Sequence, residues 1–172
     1  MDRRPLVYAA AALVALAGVA YLGLATGAVA PYLAGYDSAD PDGYDHTQVA
    51  VVDDETGESL GQVEAAVADT FPKRYVGLSE TDRLPADRGM LFVHGGVDER
   101  TYVMRNMSFG LDIVFADADG RITAVREAPK PGPGEDGADQ EYTGEARYVL
   151  EVNRGWAADR GVESGDRLAF DL

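Results

Sequence analysis

Apolar residues in this chain form one long run followed by a series of short ones, and the two kinds of run predict different structures. From Leu6 to Ala30 the chain is almost entirely Ala, Leu, Val, Gly and Tyr, and no charged side chain stands between Pro5 and Tyr36. As a helix this run would reach about 38 Å, enough to cross a hydrocarbon core of roughly 30 Å. Arg3 and Arg4 precede it, whereas Asp37, Asp40, Asp42 and Asp45 follow. The positive-inside rule therefore places the N-terminus in the cytoplasm and the rest of the chain outside. The alternative is a signal segment cleaved after Ala28-Val29-Ala30, which would release a secreted domain; Pro31 directly after that point and the length of the run favour an uncleaved anchor. The expected organisation is an N-terminal transmembrane anchor or signal segment over residues 1–36, a stalk rich in Asp, Gly, Pro, Ser and Tyr over 37–47, and an extracytoplasmic domain over 48–172.

The short runs carry the period of strands. Gln48 to Val52 alternates into the polar turn Asp53 to Glu58, and Gln62 to Ala68 resumes with Val63, Ala65 and Val67 on one face. Thr70 is placed to cap a short helix with Pro72 in its first turn. Met90 to Val93 reads as a buried strand bounded by Gly89 and Gly95-Gly96, with His94 in the following loop, and Thr101 to Arg105 as a separate strand. Leu111 to Ala116 and Arg121 to Glu127 flank Asp119-Gly120, a strong hairpin signal. Ala128 to Glu145 has no pattern, Arg147 to Val152 is a further strand, and Asn153 is read as the cap of a second short helix ending at Gly161. Gly165-Asp166 then turns into a last strand through Phe170. The predicted fold is mainly β (α+β): a small antiparallel barrel or sandwich with two short helices, preceded by one transmembrane helix.

Charge narrows the possible partners. The chain has 172 residues, with 30 acidic against 15 basic ones and a formal net charge of -15. Such a field opposes binding to nucleic acid or to an anionic membrane surface. Lysine is confined to Lys73 and Lys130, while Asp, Glu, Ala and Gly are abundant, a composition suited to high salt, where self-repulsion is screened. Cysteine is absent, which excludes disulfides and thiolate chemistry.

Several segments carry a resemblance. Arg74 to Leu78, Arg88-Gly89-Met90-Leu91-Phe92, Tyr102 to Asn106, Leu111 to Phe115, Asp119-Gly120, Tyr148 to Asn153 and Gly165-Asp166 together resemble, in order and spacing, the family catalogued as domain of unknown function 192. The resemblance runs from about Gln48 to Leu172. It implies a β-rich fold with short helices, often exported, and no particular activity. The chain departs from the family pattern at Val103, where an aromatic is commoner, and at Met107-Ser108-Phe109-Gly110, which replaces a Thr- and Pro-containing turn.

Candidate chemistry centres on Arg105, Asn106 and Asp112. Both faces of the Leu111–Ala116 strand are partly apolar, so the Asp112 carboxylate needs a partner, for which Arg105 is the nearest candidate in sequence. The pair is expected either to pin the Asn106 to Gly110 loop or to hold an anionic or hydroxyl-rich ligand together with Asn106. Glu151 shares a strand face with Arg147, as in a strand-end ion pair, and Asn153 follows it. Were Asp112 and Glu151 to share one cleft, two carboxylates could serve acid–base work on a glycan. His94 and His46 lack a third ligand at a metal-binding spacing, Asp117 to Gly120 lacks the later carboxylate of a calcium loop, and no cofactor motif is present. The expected function is a non-enzymatic binding or accessory domain for a polar small ligand, a glycan or an envelope protein. The ligand-binding candidates are Arg105, Asn106, Asp112, Glu151 and Asn153, and a hydrolase or lyase using Asp112 or Glu151 is the alternative.

Overall fold

The computed structural model describes residues 43–172; the predicted anchor and most of the predicted stalk lie outside them. Among the described residues no helix is long and apolar enough to cross a membrane. Seven strands form a single sheet: β1 (His46–Val52), β2 (Ser59–Ala68), β3 (Arg88–Val103), β4 (Leu111–Ala116), β5 (Ile122–Ala128), β6 (Glu141–Asn153) and β7 (Arg167–Ala169), in the order β5-β4-β6-β3-β2-β1-β7. Among the described residues one α-helix, α1 (Phe71–Val76), joins β2 to β3, and single 3-10 turns occupy Gly137–Asp139 and Ala158–Arg160.

The sheet curls into a half-barrel. Its two edge strands meet at one end, where Arg121 bridges Arg167, Ile122 N–H donates to the Asp166 carbonyl (2.7 Å) and Leu168 N–H to the Gly120 carbonyl (2.8 Å). Asp54, in the β1–β2 turn, reinforces the closure by accepting from Arg121 (2.6 Å) and Arg167 (2.7 Å). The mainly-β expectation holds, but the sheet is mixed, because β2 and β3 run parallel. A parallel neighbour cannot be reached through a tight turn, and α1 with its flanking loops supplies the crossover.

Both faces are buried, and strand alternation separates them. Ala66, Met90, Phe92, Ile113, Phe115 and Val149 pack on one face together with Leu78, Met104 and Met107. Val49, Val51, Val63, Leu91, Val114, Leu150 and Val152 pack on the other beneath Trp156 and Leu168. Tyr102 meets Phe92 and Phe115 edge-on at 5.0 and 5.8 Å, contacts worth about 1 kcal/mol each beyond the area they bury. Tyr44, in the segment read as stalk, is itself buried in the first core.

Three elements differ from the sequence expectation. The two strands read on either side of Gly95-Gly96 are one, β3: Val93 faces Tyr148 and Asp98 faces Ala146 on β6, so the intervening residues bulge while the strand continues, and His94 lies within it. The patternless Ala128 to Glu145 segment is ordered by backbone. The Met104 N–H donates to the Gly137 carbonyl at 2.9 Å, and β6 already begins at Glu141. Gly137 is required there, since a Cβ would overlap the Met104 carbonyl. Asn153 ends β6 without capping a helix; the later 3-10 turn begins after Ala157, which supplies no side-chain cap.

Candidate functional site

The inner face carries a cleft of about 360 Å³ between α1, the outer half of β3 and the loop after it, with Glu151 of β6 at its base. Local sequence sets its walls. Thr70 caps α1 by accepting from the Lys73 N–H (3.5 Å), and Pro72 lies in the first turn, as the sequence predicted. Arg74 then reaches back from α1, and its Nη1 donates to the carbonyls of Asp69 (2.6 Å) and Val93 (2.9 Å), fastening the helix to β3. Arg105, just past β3, donates through Nη2 to the Tyr75 carbonyl (2.6 Å), and its guanidinium lies 4.3 Å from the centre of the Tyr75 ring. Arg100 donates to the carbonyls of Gly96 (2.8 Å) and Ala146 (3.3 Å), and its nearest carboxylate is that of Asp98 at 4.0 Å.

Even-numbered residues of β3 turn toward this space on both sides of the bulge. His94 Nε2 lies 3.0 Å from the Tyr102 hydroxyl. Burial, aided by the nearby Arg100 and Arg74 charges, pushes His94 down to about 4, so its ring is neutral at ordinary pH. Burial, and secondarily the Glu151 charge, raises the Tyr102 phenol, which keeps its proton. Glu151 is 5% exposed, and burial is the one influence on its carboxyl, with no hydrogen bond or ion pair from the described residues. Burial alone pushes it up to about 8, so it is largely protonated at neutral pH.

Of the five candidates named from sequence, the cleft brings together Arg105 and Glu151. Asp112 is on the opposite face: it is paired in register with Val152, whereas Glu151 is paired with Ile113, so successive residues point apart. The expected Arg105–Asp112 pair is absent because that separation forbids it. Asp112 instead accepts from the Ala157 N–H at 2.8 Å, burial raises its pKa, and its other oxygen has no partner. Glu151 forms no ion pair with Arg147, whose guanidinium lies over the Tyr148 ring at 5.0 Å. Asn106 is exposed and holds a left-handed turn (φ 58°), a conformation Asn tolerates better than most residues. Asn153 donates to the carbonyls of Leu84 and Pro85 at 3.0 and 3.1 Å, tying down the loop before β3. Arg74, His94, Arg100 and Tyr102 were missed as site residues. The signal for His94 and Tyr102 was the even-numbered alternation Met90, Phe92, His94, broken in the reading by two glycines. Among the described residues no group of three or more His, Asp or Glu side chains could hold a metal ion.

A curled mixed β-sheet, crossed over by one short helix that walls an inner cleft, defines a β-rich half-barrel domain. The chain belongs to the DUF192 family, described as Uncharacterized ACR, whose pattern matches residues 51–170. No protein of curated function matches it. Two solved structures are similar. One, from Sinorhizobium meliloti 1021 and named as a candidate transcription regulator, is 26% identical with a TM-score of 0.65, covering 74% of this chain and 95% of its own. The other, a protein of unknown function from Novosphingobium aromaticivorans DSM 12444, is 26% identical with a TM-score of 0.63, covering 79% of this chain and 96% of its own. Both family departures noted in the sequence border the cleft: Val103 is exposed at its rim, and Met107 is buried in its wall.

Proposed function

We propose that the chain is a membrane-anchored extracytoplasmic domain that binds a polar small ligand, free or as the end of a glycan, in the cleft over Glu151. The observation that carries this reading is the Glu151 carboxyl itself, on a buried residue at the base of an open cleft, with no hydrogen-bonding or charged partner among the described residues. Burying an unpartnered carboxyl costs folding stability, and an apolar residue at this point of β6 would avoid that cost. Supplying the missing partner is the natural role of a ligand. The cleft volume suits a small molecule better than an envelope protein. The acidic surface opposes DNA, so the regulator role given to the Sinorhizobium relative is not adopted for this chain. The outward location rests on the uncharged run before Tyr36 and the arginines preceding it.

The test is ligand-observed saturation-transfer NMR on the full-length protein with a panel of small hydroxylated and acidic compounds. His94→Trp serves as the cleft-filling control, since His94 lines the cleft, is half-buried, and is one of the β3 residues that turn toward it. Transfer in the wild type that disappears in this variant is expected. If no compound shows transfer, or if transfer survives the filled cleft, the reading fails. A hydrolase or lyase reading draws on the position of Glu151 near about 8, close to where a general acid works well at neutral pH. It predicts turnover of a bound compound that Glu151→Gln abolishes while binding persists. Asp112 cannot assist, because it faces away.

A further inference from the structure

Arginines among the described residues differ in what they meet. Arg88, Arg121, Arg154 and Arg167 each meet a carboxylate, at 2.7, 2.6, 3.2 and 2.7 Å respectively. The cleft arginines do not. Arg74 and Arg105 are held by backbone carbonyls with no carboxylate within 4 Å among the described residues, and Arg100 approaches one only at 4.0 Å. Arg83, Arg126, Arg147 and Arg160 also have no carboxylate within 4 Å among the described residues, but none of them lines this cleft, whereas Arg74, Arg100 and Arg105 gather there and concentrate positive charge in a chain with twice as many acids as bases. Carbonyl anchoring also fixes each guanidinium while leaving some of its N–H groups unused, the arrangement that suits recognition of a planar oxyanion.

Beneath them the cleft changes character. A protonated carboxyl both donates and accepts, as a phenol does, so Glu151 and Tyr102 match hydroxyl groups better than they match a charge. We propose that the occupant of the cleft is a small hydroxylated carboxylic acid, in class a sugar acid, with its carboxylate among Arg74, Arg100 and Arg105 and its hydroxyls against Glu151 and Tyr102. This rests on the binding function proposed above and assigns the ligand its class. The groups facing Glu151 fix the sign of its pH dependence. His94 titrates near about 4 and Tyr102 is raised, so both lie outside the range around neutrality. The guanidinium groups of Arg74, Arg100 and Arg105 line the same cleft, and Glu99 lines its wall as a further carboxyl. Ionising Glu151 adds a negative charge beneath a bound anion, and affinity falls as pH rises past about 8.

The experiment measures binding of glucuronate, glucose, glucosamine and glucose 6-phosphate to the full-length protein, at the lowest salt in which circular dichroism shows it folded. Glucuronate should bind best, and its affinity should fall about tenfold per pH unit above the Glu151 transition. Glu151→Gln should keep the affinity within about threefold at pH 6.5 and lose the pH dependence, because an amide retains a donor and an acceptor without titrating. Arg105→Ala should weaken glucuronate at least about tenfold; if that variant does not fold, Arg100→Gln takes its place with the same expectation. Preference for glucose, glucosamine or glucose 6-phosphate, blocked by His94→Trp, overturns the sugar-acid class and leaves the cleft reading standing. Affinity that rises with pH also overturns it. If nothing in the panel binds in a way that His94→Trp blocks, the cleft reading falls with it.

Discussion

Glu151→Gln separates the cost of the cleft from everything else in this acidic fold. In the unfolded chain the Glu151 carboxyl ionises near 4.5, whereas in the folded protein it holds its proton up to about 8. The folded state therefore binds the extra proton between these values. Stability from this group is full below 4.5, is lost progressively as pH rises toward 8, and is constant beyond. Each pH unit in that window is worth about 1.4 kcal/mol, so raising the pH from 5 to 7.5 should cost on the order of 3 kcal/mol. Against a total of roughly 5–15 kcal/mol for a domain, that is a large fraction. Glutamine fills nearly the same volume and does not titrate. The variant should thus match the wild type near pH 5 and exceed it increasingly toward pH 8.

Other carboxylates titrate alongside Glu151, but they are common to both proteins and cancel in the difference. The assay is urea unfolding at fixed molar potassium chloride, followed by fluorescence of Trp156, the single tryptophan, which is 5% exposed. Midpoints are compared at several pH values, with a check that the slope is unchanged. Water entering the cleft would shrink the difference without reversing it. Parallel stability curves for the two proteins would refute the argument, because they would mean that Glu151 ionises in the fold as it does in the unfolded chain.

Further outcomes follow from the same structure. With a formal charge of -15, the protein should lose far-UV circular dichroism when molar salt is dialysed away; an unchanged spectrum in dilute buffer would oppose the high-salt proposal. Asp112→Ala should cost about 1–3 kcal/mol by leaving the Ala157 N–H without its acceptor, while Asp112→Asn, which keeps an acceptor and removes a carboxyl whose pKa burial has raised, should be at least as stable as the wild type at neutral pH. Urea midpoints distinguish the two. Gly144→Ala would drive a methyl group into the Phe115 ring and should destabilise by about 1–3 kcal/mol, read as a lowered melting temperature in calorimetry.

Local chemistry made most of the strands legible. The β1–β2 hairpin, the Asp119-Gly120 turn, the Thr70 cap and the Gly165 turn into β7 all rest on residues whose preference acts over a few positions. What depended on pairing was hidden. Gly95-Gly96 looks like a strand end in isolation, yet β6 holds both halves of β3 across the bulge, and the parallel β2–β3 pairing is set by the crossover through α1. The site shows the same limit. Asp112 and Glu151 are equivalent anomalies in sequence, each a carboxylate set in an apolar strand, and alternation within one strand cannot say whether two such residues meet. Only the register between β4 and β6 decides it, and a shift of one residue would reverse the answer. That register sends Asp112 to a backbone N–H on one side and leaves Glu151 without a partner on the other, so one anomaly is absorbed by the fold while the other opens into the cleft.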